Sequence, residues 1–116
     1  MKALGTLVLL ATVALGVLVG FHYLARQRRP WLVTLHLACG AAGAWLFFLL
    51  LHAPPEGRNP PSGMAAGILL GAALLGGLLP RLIARRARKA AEPLLVVHVF
   101  TGLAGFLVFL SWASRL

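Results

Sequence analysis

Residues His36 to Gly43 read HLACGAAG and residues His98 to Gly105 read HVFTGLAG, so the pattern His-x3-Gly-x2-Gly occurs twice. On an α-helix, the residues four and seven positions after the histidine lie within about 40° of it around the axis. Each copy therefore predicts one imidazole and two glycines on one helix face, with room for a flat ligand. We name these the His/Gly stripes; they consist of His36, Gly40 and Gly43, and of His98, Gly102 and Gly105.

The composition indicates a membrane protein. Of 116 residues, 60% are hydrophobic and 11% are charged, and mean hydropathy is +0.91, whereas soluble domains contain about 25% charged residues. The 11 Lys and Arg outnumber the two acids, Glu56 and Glu92, and cluster at the ends of apolar runs. This distribution favours anionic lipids as partners and disfavours nucleic acid. Cys39 is the single cysteine, so the sequence has no disulfide, cysteine zinc site or covalent haem motif.

Four apolar runs are long enough to cross a bilayer. They predict an all-α membrane protein in which residues 1–116 form a single four-transmembrane-helix up-down bundle. The expected helices are about 3–24, 31–52, 64–79 and 93–112, with a basic interfacial segment over 80–92. Continuation of the third helix past Pro80 is left open. Pro30 suits the first position of the second helix. The first run lacks a convincing signal-peptide cleavage site, so we expect it to be retained.

Positive residues predict the orientation of the helices. Eight lie in the turn between helices 1 and 2 or in the segment between helices 3 and 4, and three lie on the opposite side. The positive-inside rule then places the two basic segments in the cytoplasm and both termini outside. Richness in Ala, Gly, Leu and Arg suggests a bacterial inner (plasma) membrane. The eight are Arg26, Arg28, Arg29, Arg81, Arg85, Arg86, Arg88 and Lys89, and the three are Lys2, Arg58 and Arg115.

The chain contains a repeated two-helix unit. Residues 31–52 match residues 93–114 at an offset of 62, and helices 1 and 3 match more weakly at the same offset. A repeat in the same orientation predicts a pseudo-two-fold axis along the membrane normal, with helices 2 and 4 diagonally opposite. His36 lies six residues after Pro30 and His98 five residues after Pro93. Both imidazoles are therefore expected at the same depth, roughly 8 to 9 Å inside the cytoplasmic boundary.

Two opposed imidazoles at equal depth suit the two axial positions of a haem iron, and adjacent glycines would leave space for the porphyrin. In these stripes and in its four helices, the chain resembles the small membrane cytochromes b, the bis-histidine haem subunits of quinone-linked respiratory complexes. The resemblance implies one haem b, with His36 and His98 as iron ligands. It also implies that the haem is lined by Gly40, Gly43, Gly102 and Gly105.

By the same resemblance, the protein would transfer electrons between a quinone and other membrane or peripheral subunits of a redox complex. Without an acidic residue inside a predicted span, the chain has few groups for catalysis on its own. Members of the family often hold a second haem on two further histidines. Here His22 and His52 lie toward opposite membrane faces, so they do not share one iron, and the number of haems is left open.

Simpler interpretations remain for the same residues. A histidine within a transmembrane helix also forms hydrogen bonds between helices, and glycines also allow close helix packing. The alternative function is a cofactor-free accessory or assembly subunit of a larger membrane complex. A small multidrug exporter is disfavoured because its required acidic residue is missing from helix 1. Trp112 fits an interfacial aromatic belt, Trp45 is expected to face lipid or a partner subunit, and Cys39 is expected to be a packing residue.

Overall fold

The structure, a computed structural model, describes residues 1–27, 29–54, 62–83 and 88–116. These residues form four α-helices and, within those ranges, no strand. The helices are α1 (Lys2–Leu24), α2 (Pro30–His52), α3 (Ser62–Ile83) and α4 (Arg88–Ser114). All four are long and apolar enough to cross a membrane. The expectation of an all-α, multi-pass membrane protein with four spanning helices is therefore confirmed, as is the start of α2 at Pro30.

Helix formation follows from the apolar composition, because a segment in lipid must satisfy its backbone hydrogen bonds internally. Some hydroxyl side chains inside the helices also donate to a backbone carbonyl of their own helix. Thr6 donates to the carbonyl of Lys2 at 2.9 Å, and Thr101 donates to the carbonyl of Val97 at 2.7 Å. Many large apolar side chains remain exposed, as suits contact with lipid chains. They include Leu7, Phe21, Trp45, Ile68, Phe100 and Leu107.

The described chain divides into two compact units, Met1–Leu50 and Leu51–Leu116. We call α1 and α2 of the first unit the first helix pair, and α3 and α4 of the second unit the second helix pair. In the first pair, a Cβ atom added to Gly43 would meet Leu9, and one added to Gly40 would meet Thr12. The contact partner in α1 has a higher number where the glycine in α2 has a lower number, so the two helices are antiparallel.

The second helix pair has the same arrangement. A Cβ atom added to Gly105 would meet Leu70, and one added to Gly102 would meet Ala73. As in the first pair, a lower residue number in one helix contacts a higher number in the other, so α3 and α4 are antiparallel. The two-helix unit expected from the sequence repeat therefore recurs as a repeated set of contacts.

The register of the repeat differs from the sequence prediction by one residue in the first helix of each pair. Gly102 in α4 and Gly40 in α2 are 62 positions apart, but their neighbours Ala73 and Thr12 are 61 positions apart. The offset of 62 for helices 1 and 3 is therefore wrong. It rested on matches among Ala, Gly and Leu, which are so frequent in apolar helices that they define register poorly.

The start of α4 differs from the prediction, because α4 begins at Arg88, five residues before Pro93. Helix α3 continues through Pro80 to Ile83, which is the continuation that the sequence left open. The ends of the predicted interfacial segment 80–92 thus belong to these two long helices. Proline removes only one backbone donor, and the residues before Pro93 (Arg-Lys-Ala-Ala-Glu) favour helix, so the helix forms despite it.

The earlier start of α4 leaves the expected depth of the two histidines unchanged, because that depth is counted from the membrane boundary and not from the helix start. The first turn of α4 contains the charged residues Arg88 and Lys89, which suit a position outside the hydrocarbon core. The apolar spans are Pro30–His52 and Glu92–Ser114, and His36 and His98 each lie six residues after the start of their span. Equal depth of the two histidines stays a prediction from the sequence.

Trp112 is buried rather than placed in an exposed aromatic belt. None of its surface is accessible, and its ring lies 6.0 Å from that of Phe109 between centroids. A Cβ atom added to Gly63 would lie 2.6 Å from its Nε1 atom. Gly63 therefore makes room for the indole within the second helix pair.

Several charged residues named in the sequence analysis lie outside the described part of the chain. They are Arg28, Glu56, Arg58, Arg85 and Arg86. The orientation of the basic segments therefore stays a prediction from the sequence.

Helix α1 ends in a tight turn at Arg26, which has φ of 56°. The amide of Gln27 donates to the carbonyl of His22 at 2.9 Å, and that of Arg26 donates to the carbonyl of Tyr23 at 3.1 Å. This pair of bonds is a Schellman motif, in which the left-handed position usually holds glycine. An arginine there has a steric cost that glycine would not have.

We predict that Arg26→Gly stabilises the protein by about 1 kcal/mol, because it removes this steric cost. Thermal unfolding in detergent, followed by circular dichroism, measures the change. Arg29→Gly is the control, since it removes the same charge without relieving a left-handed residue. Equal melting temperatures for the two variants would contradict the prediction.

We also predict that Gly105→Val destabilises the second helix pair by about 1–3 kcal/mol through overpacking. A Cβ atom at this position would lie 3.1 Å from the backbone nitrogen of Leu70, which cannot move without shifting α3. Gly71→Val is the matched control, because no atom lies within 4 Å of a Cβ added there. The same unfolding measurement should show a loss for the first variant and little change for the second.

Candidate functional site at the His/Gly stripes

In the first helix pair, the imidazole of His36 is held against α1. Its Nδ1 atom lies 2.9 Å from the backbone carbonyl oxygen of Thr12. The ring also faces Gly16, where an added Cβ atom would lie 3.0 Å from the Cε1 atom. The side chain is half-buried. His36 therefore links α2 to α1 by one hydrogen bond and one close contact.

The second helix pair repeats this geometry with different residues. The Nδ1 atom of His98 lies 2.6 Å from the backbone carbonyl oxygen of Ala73. Its ring faces Gly77, where an added Cβ atom would lie 2.8 Å from Cε1 and 2.9 Å from Nδ1. Gly76 brings α3 close to the backbone of His98 as well, with an added Cβ atom 3.4 Å from its Cα.

These hydrogen bonds define the tautomer of both imidazoles. A carbonyl oxygen only accepts a hydrogen bond, so each Nδ1 atom carries the proton and donates it. In a neutral imidazole the lone pair is then on Nε2, which is a common metal-binding atom. Histidines that bind metals typically donate their other ring N–H to a backbone carbonyl or carboxylate in this way. In both rings, Nε2 is therefore the nitrogen with the chemistry of a ligand atom.

The four glycines of the stripes contact the preceding helix of their own pair. An added Cβ atom at Gly43 would lie 2.7 Å from Leu9, and one at Gly105 would lie 3.1 Å from Leu69 and Leu70. Both positions are buried, so they are used for close packing. Gly40 and Gly102 are half-buried, and an added Cβ atom there would make only ordinary contacts, at 3.5 Å and 3.7 Å.

The remaining candidate residues lie apart from these contacts. His22 is half-buried in the last turn of α1, and His52 is exposed at the end of α2. Cys39 is a half-buried thiol. Trp45 is 61% exposed and stacks on Phe48 with ring centroids 5.7 Å apart, which fits an outward aromatic surface.

Sequence reasoning missed the residues on which the imidazoles lie. Neither Gly16 nor Gly77 was predicted to contact a histidine. The antiparallel pairing of the helices could have identified them. Gly40 contacts Thr12, so His36, four residues before Gly40, is expected to contact the residue four positions after Thr12. That residue is Gly16, and the same step from Ala73 leads to Gly77.

Each imidazole, taken by itself, has the chemistry of an axial ligand. In the described part of the chain, no three His, Cys, Asp or Glu side chains are grouped so that they could hold a metal ion. An iron already bound by a porphyrin requires only axial ligands, and two carbonyl-anchored imidazoles have the right chemistry. No protein-family model, curated protein or solved structure matches the chain.

We predict that His98→Leu, in protein purified without added haem, costs about 0.5–2 kcal/mol of stability. The change removes one hydrogen bond between two helices, and such bonds in membrane proteins are of this size. Unfolding by SDS titration measures the loss. His52→Leu serves as the control because this side chain is exposed, and an equal loss in both variants would contradict a specific role for the bond to Ala73.

Proposed function

We propose that the protein is a haem b-binding membrane subunit that transfers electrons between a quinone and a redox partner, with His36 and His98 as axial iron ligands. The observation that supports this is the shared anchoring of the two imidazoles. Each donates Nδ1–H to a backbone carbonyl of the preceding helix, which assigns the lone pair to Nε2. The two histidines occupy equivalent positions in the repeated helix pair, so each pair would contribute one nitrogen ligand of the same kind.

The residues of the chain fit this cofactor in part. His36 and His98 provide two neutral nitrogen donors, and a bound haem b would supply a one-electron Fe(III)/Fe(II) couple. Gly40 and Gly102 are half-buried and less tightly packed, because an added Cβ atom there would make only ordinary contacts with the preceding helix. The burial of Gly43 and Gly105 against the preceding helix accounts for those glycines without a cofactor.

In this function the protein holds and orients rather than catalyses. Hydrogen bonds from Nδ1 to a carbonyl make an imidazole a more basic ligand and keep its ring direction constant through each redox cycle. The apolar helices exclude water from the ligand atoms. Quinone chemistry requires proton transfer, and Glu92, the one acid among the described residues, is exposed near the start of α4. We therefore propose that partner subunits of a redox complex supply that chemistry.

The same proposal includes a location in the bacterial inner membrane. The basic segments around Arg26 and Arg81 would face the cytoplasm and contact anionic lipids, in keeping with the positive-inside rule. Arg26, Arg29 and Arg81 are exposed at helix ends, where contact with lipid phosphates is available to them.

We predict that the purified protein shows a haem b signal in its reduced-minus-oxidised absorption spectrum. His36→Ala and His98→Ala should each abolish the six-coordinate, low-spin form, because each removes one axial nitrogen. His52→Ala is the control and should keep the spectrum of the parent. Absence of haem b from the parent, after expression with sufficient haem supply, would refute the proposed function.

A second candidate function is a cofactor-free accessory or assembly subunit. It is favoured by one observation: both imidazoles and all four stripe glycines have contacts within their own helix pair. In that case the histidines only join helices, and the exposed aromatic surface of Trp45 and Phe48 would contact a larger complex. A parent protein without haem, whose His36→Ala variant no longer copurifies with its complex, would support this alternative.

A further inference from the structure

The two glycines opposite the imidazoles have no assigned role so far. Gly16 and Gly77 are half-buried, and each lies directly against the ring of one stripe histidine. An added Cβ atom would come within 3.0 Å of Cε1 in His36 and within 2.8 Å of Cε1 in His98. Cβ atoms in proteins essentially never lie closer than 3.0 Å to a heavy atom, so a side chain at Gly77 would displace the ring.

The two contacts are equivalent in the repeat, although the rest of the chain has diverged around them. Gly16 and Gly77 are 61 positions apart, as are the two residues whose carbonyls accept the histidine bonds, Thr12 and Ala73. In both pairs the accepting carbonyl belongs to the residue four positions before the glycine, one helical turn away. The ring therefore lies over the glycine while its Nδ1 atom reaches the carbonyl of the neighbouring turn.

We propose that Gly16 and Gly77 are positioning residues that set the tautomer and direction of the two imidazoles. The missing side chain lets each ring approach the helix closely enough for Nδ1–H to reach the carbonyl, which assigns the lone pair to Nε2. An alanine would move the ring away from the helix and lengthen that hydrogen bond. The importance of Nε2 as a ligand atom rests on the proposed function, but the control of the tautomer by glycine does not.

Nuclear magnetic resonance of 15N-labelled histidine tests this directly in haem-free protein. Replacing His22 and His52 by glutamine leaves only the signals of His36 and His98, and the nitrogen shifts of a neutral imidazole distinguish its two tautomers. We expect both rings of the parent to be protonated at Nδ1. In Gly77→Ala, the ratio of this tautomer to the other should fall about fivefold to tenfold for His98, as expected from the loss of one hydrogen bond.

Matched controls come from the same helices. Gly20 in α1 and Gly71 in α3 have no atom within 4 Å of an added Cβ, so Gly20→Ala and Gly71→Ala change the same residue type without touching a ring. In each test variant, the histidine of the other helix pair is unaltered and serves as an internal control. Circular dichroism measures helix content and shows whether each variant folds. If Gly77→Ala does not fold, Gly16→Ala provides the test, because its contact with the ring is milder.

The outcomes distinguish the inference from the proposed function. A tautomer change confined to the histidine opposite the substituted glycine supports the positioning role. Unchanged histidine spectra in folded Gly16→Ala and Gly77→Ala, or Nε2–H tautomers in the parent, would overturn it. If the parent binds haem, the same two variants should also have a raised reduction potential, since a weaker hydrogen bond makes the ligand less basic. A parent without haem refutes the proposed function and leaves the tautomer test intact.

Discussion

The contact on which each helix pair depends is a hydrogen bond from a histidine Nδ1–H to a backbone carbonyl of the preceding helix. A carbonyl inside a helix already accepts one bond from its own helix, but its second lone pair can accept another. Such a bond needs a close approach of the two helices, because the imidazole is short. Glycine at the contact point permits that approach, so the histidine, the carbonyl and the glycine act as one arrangement.

The stripe glycines extend the same contact along the helix pair. Gly40 and Gly43 in α2 lie against Thr12 and Leu9 in α1, one and two turns beyond the histidine. In membranes, helix association depends on packing and hydrogen bonds because lipid chains are as apolar as the helix surface. Each His/Gly stripe therefore provides both close packing and a hydrogen bond on the same face of its helix. This is sufficient reason for their spacing within each pair, whether or not a cofactor is bound.

The sequence predicted the four helices, the start of α2 at Pro30 and the repeated stripes, because hydropathy and helical periodicity depend only on local composition. The sequence did not predict burial correctly where burial depends on which helix packs against a given helix face. The stripe glycines suggested an open surface, yet Gly43 and Gly105 are covered by the preceding helix. Trp112 was expected at the interface, but its burial depends on the space that Gly63 leaves. Neither partner could be identified from spacing within a single helix.

The arrangement has a consequence for any ligand of the imidazoles. A free histidine side chain loses about 0.5–1.5 kcal/mol of conformational entropy when it becomes immobilised on binding. His36 and His98 have already lost much of this freedom, because their rings are held between a glycine and a carbonyl in each helix pair. The entropy lost by these side chains is offset by helix packing during folding, before any ligand binds. A nitrogen prepared in this way suits a ligand that must stay in a constant geometry while its charge changes, and this property connects the packing within each helix pair to the proposed electron transfer.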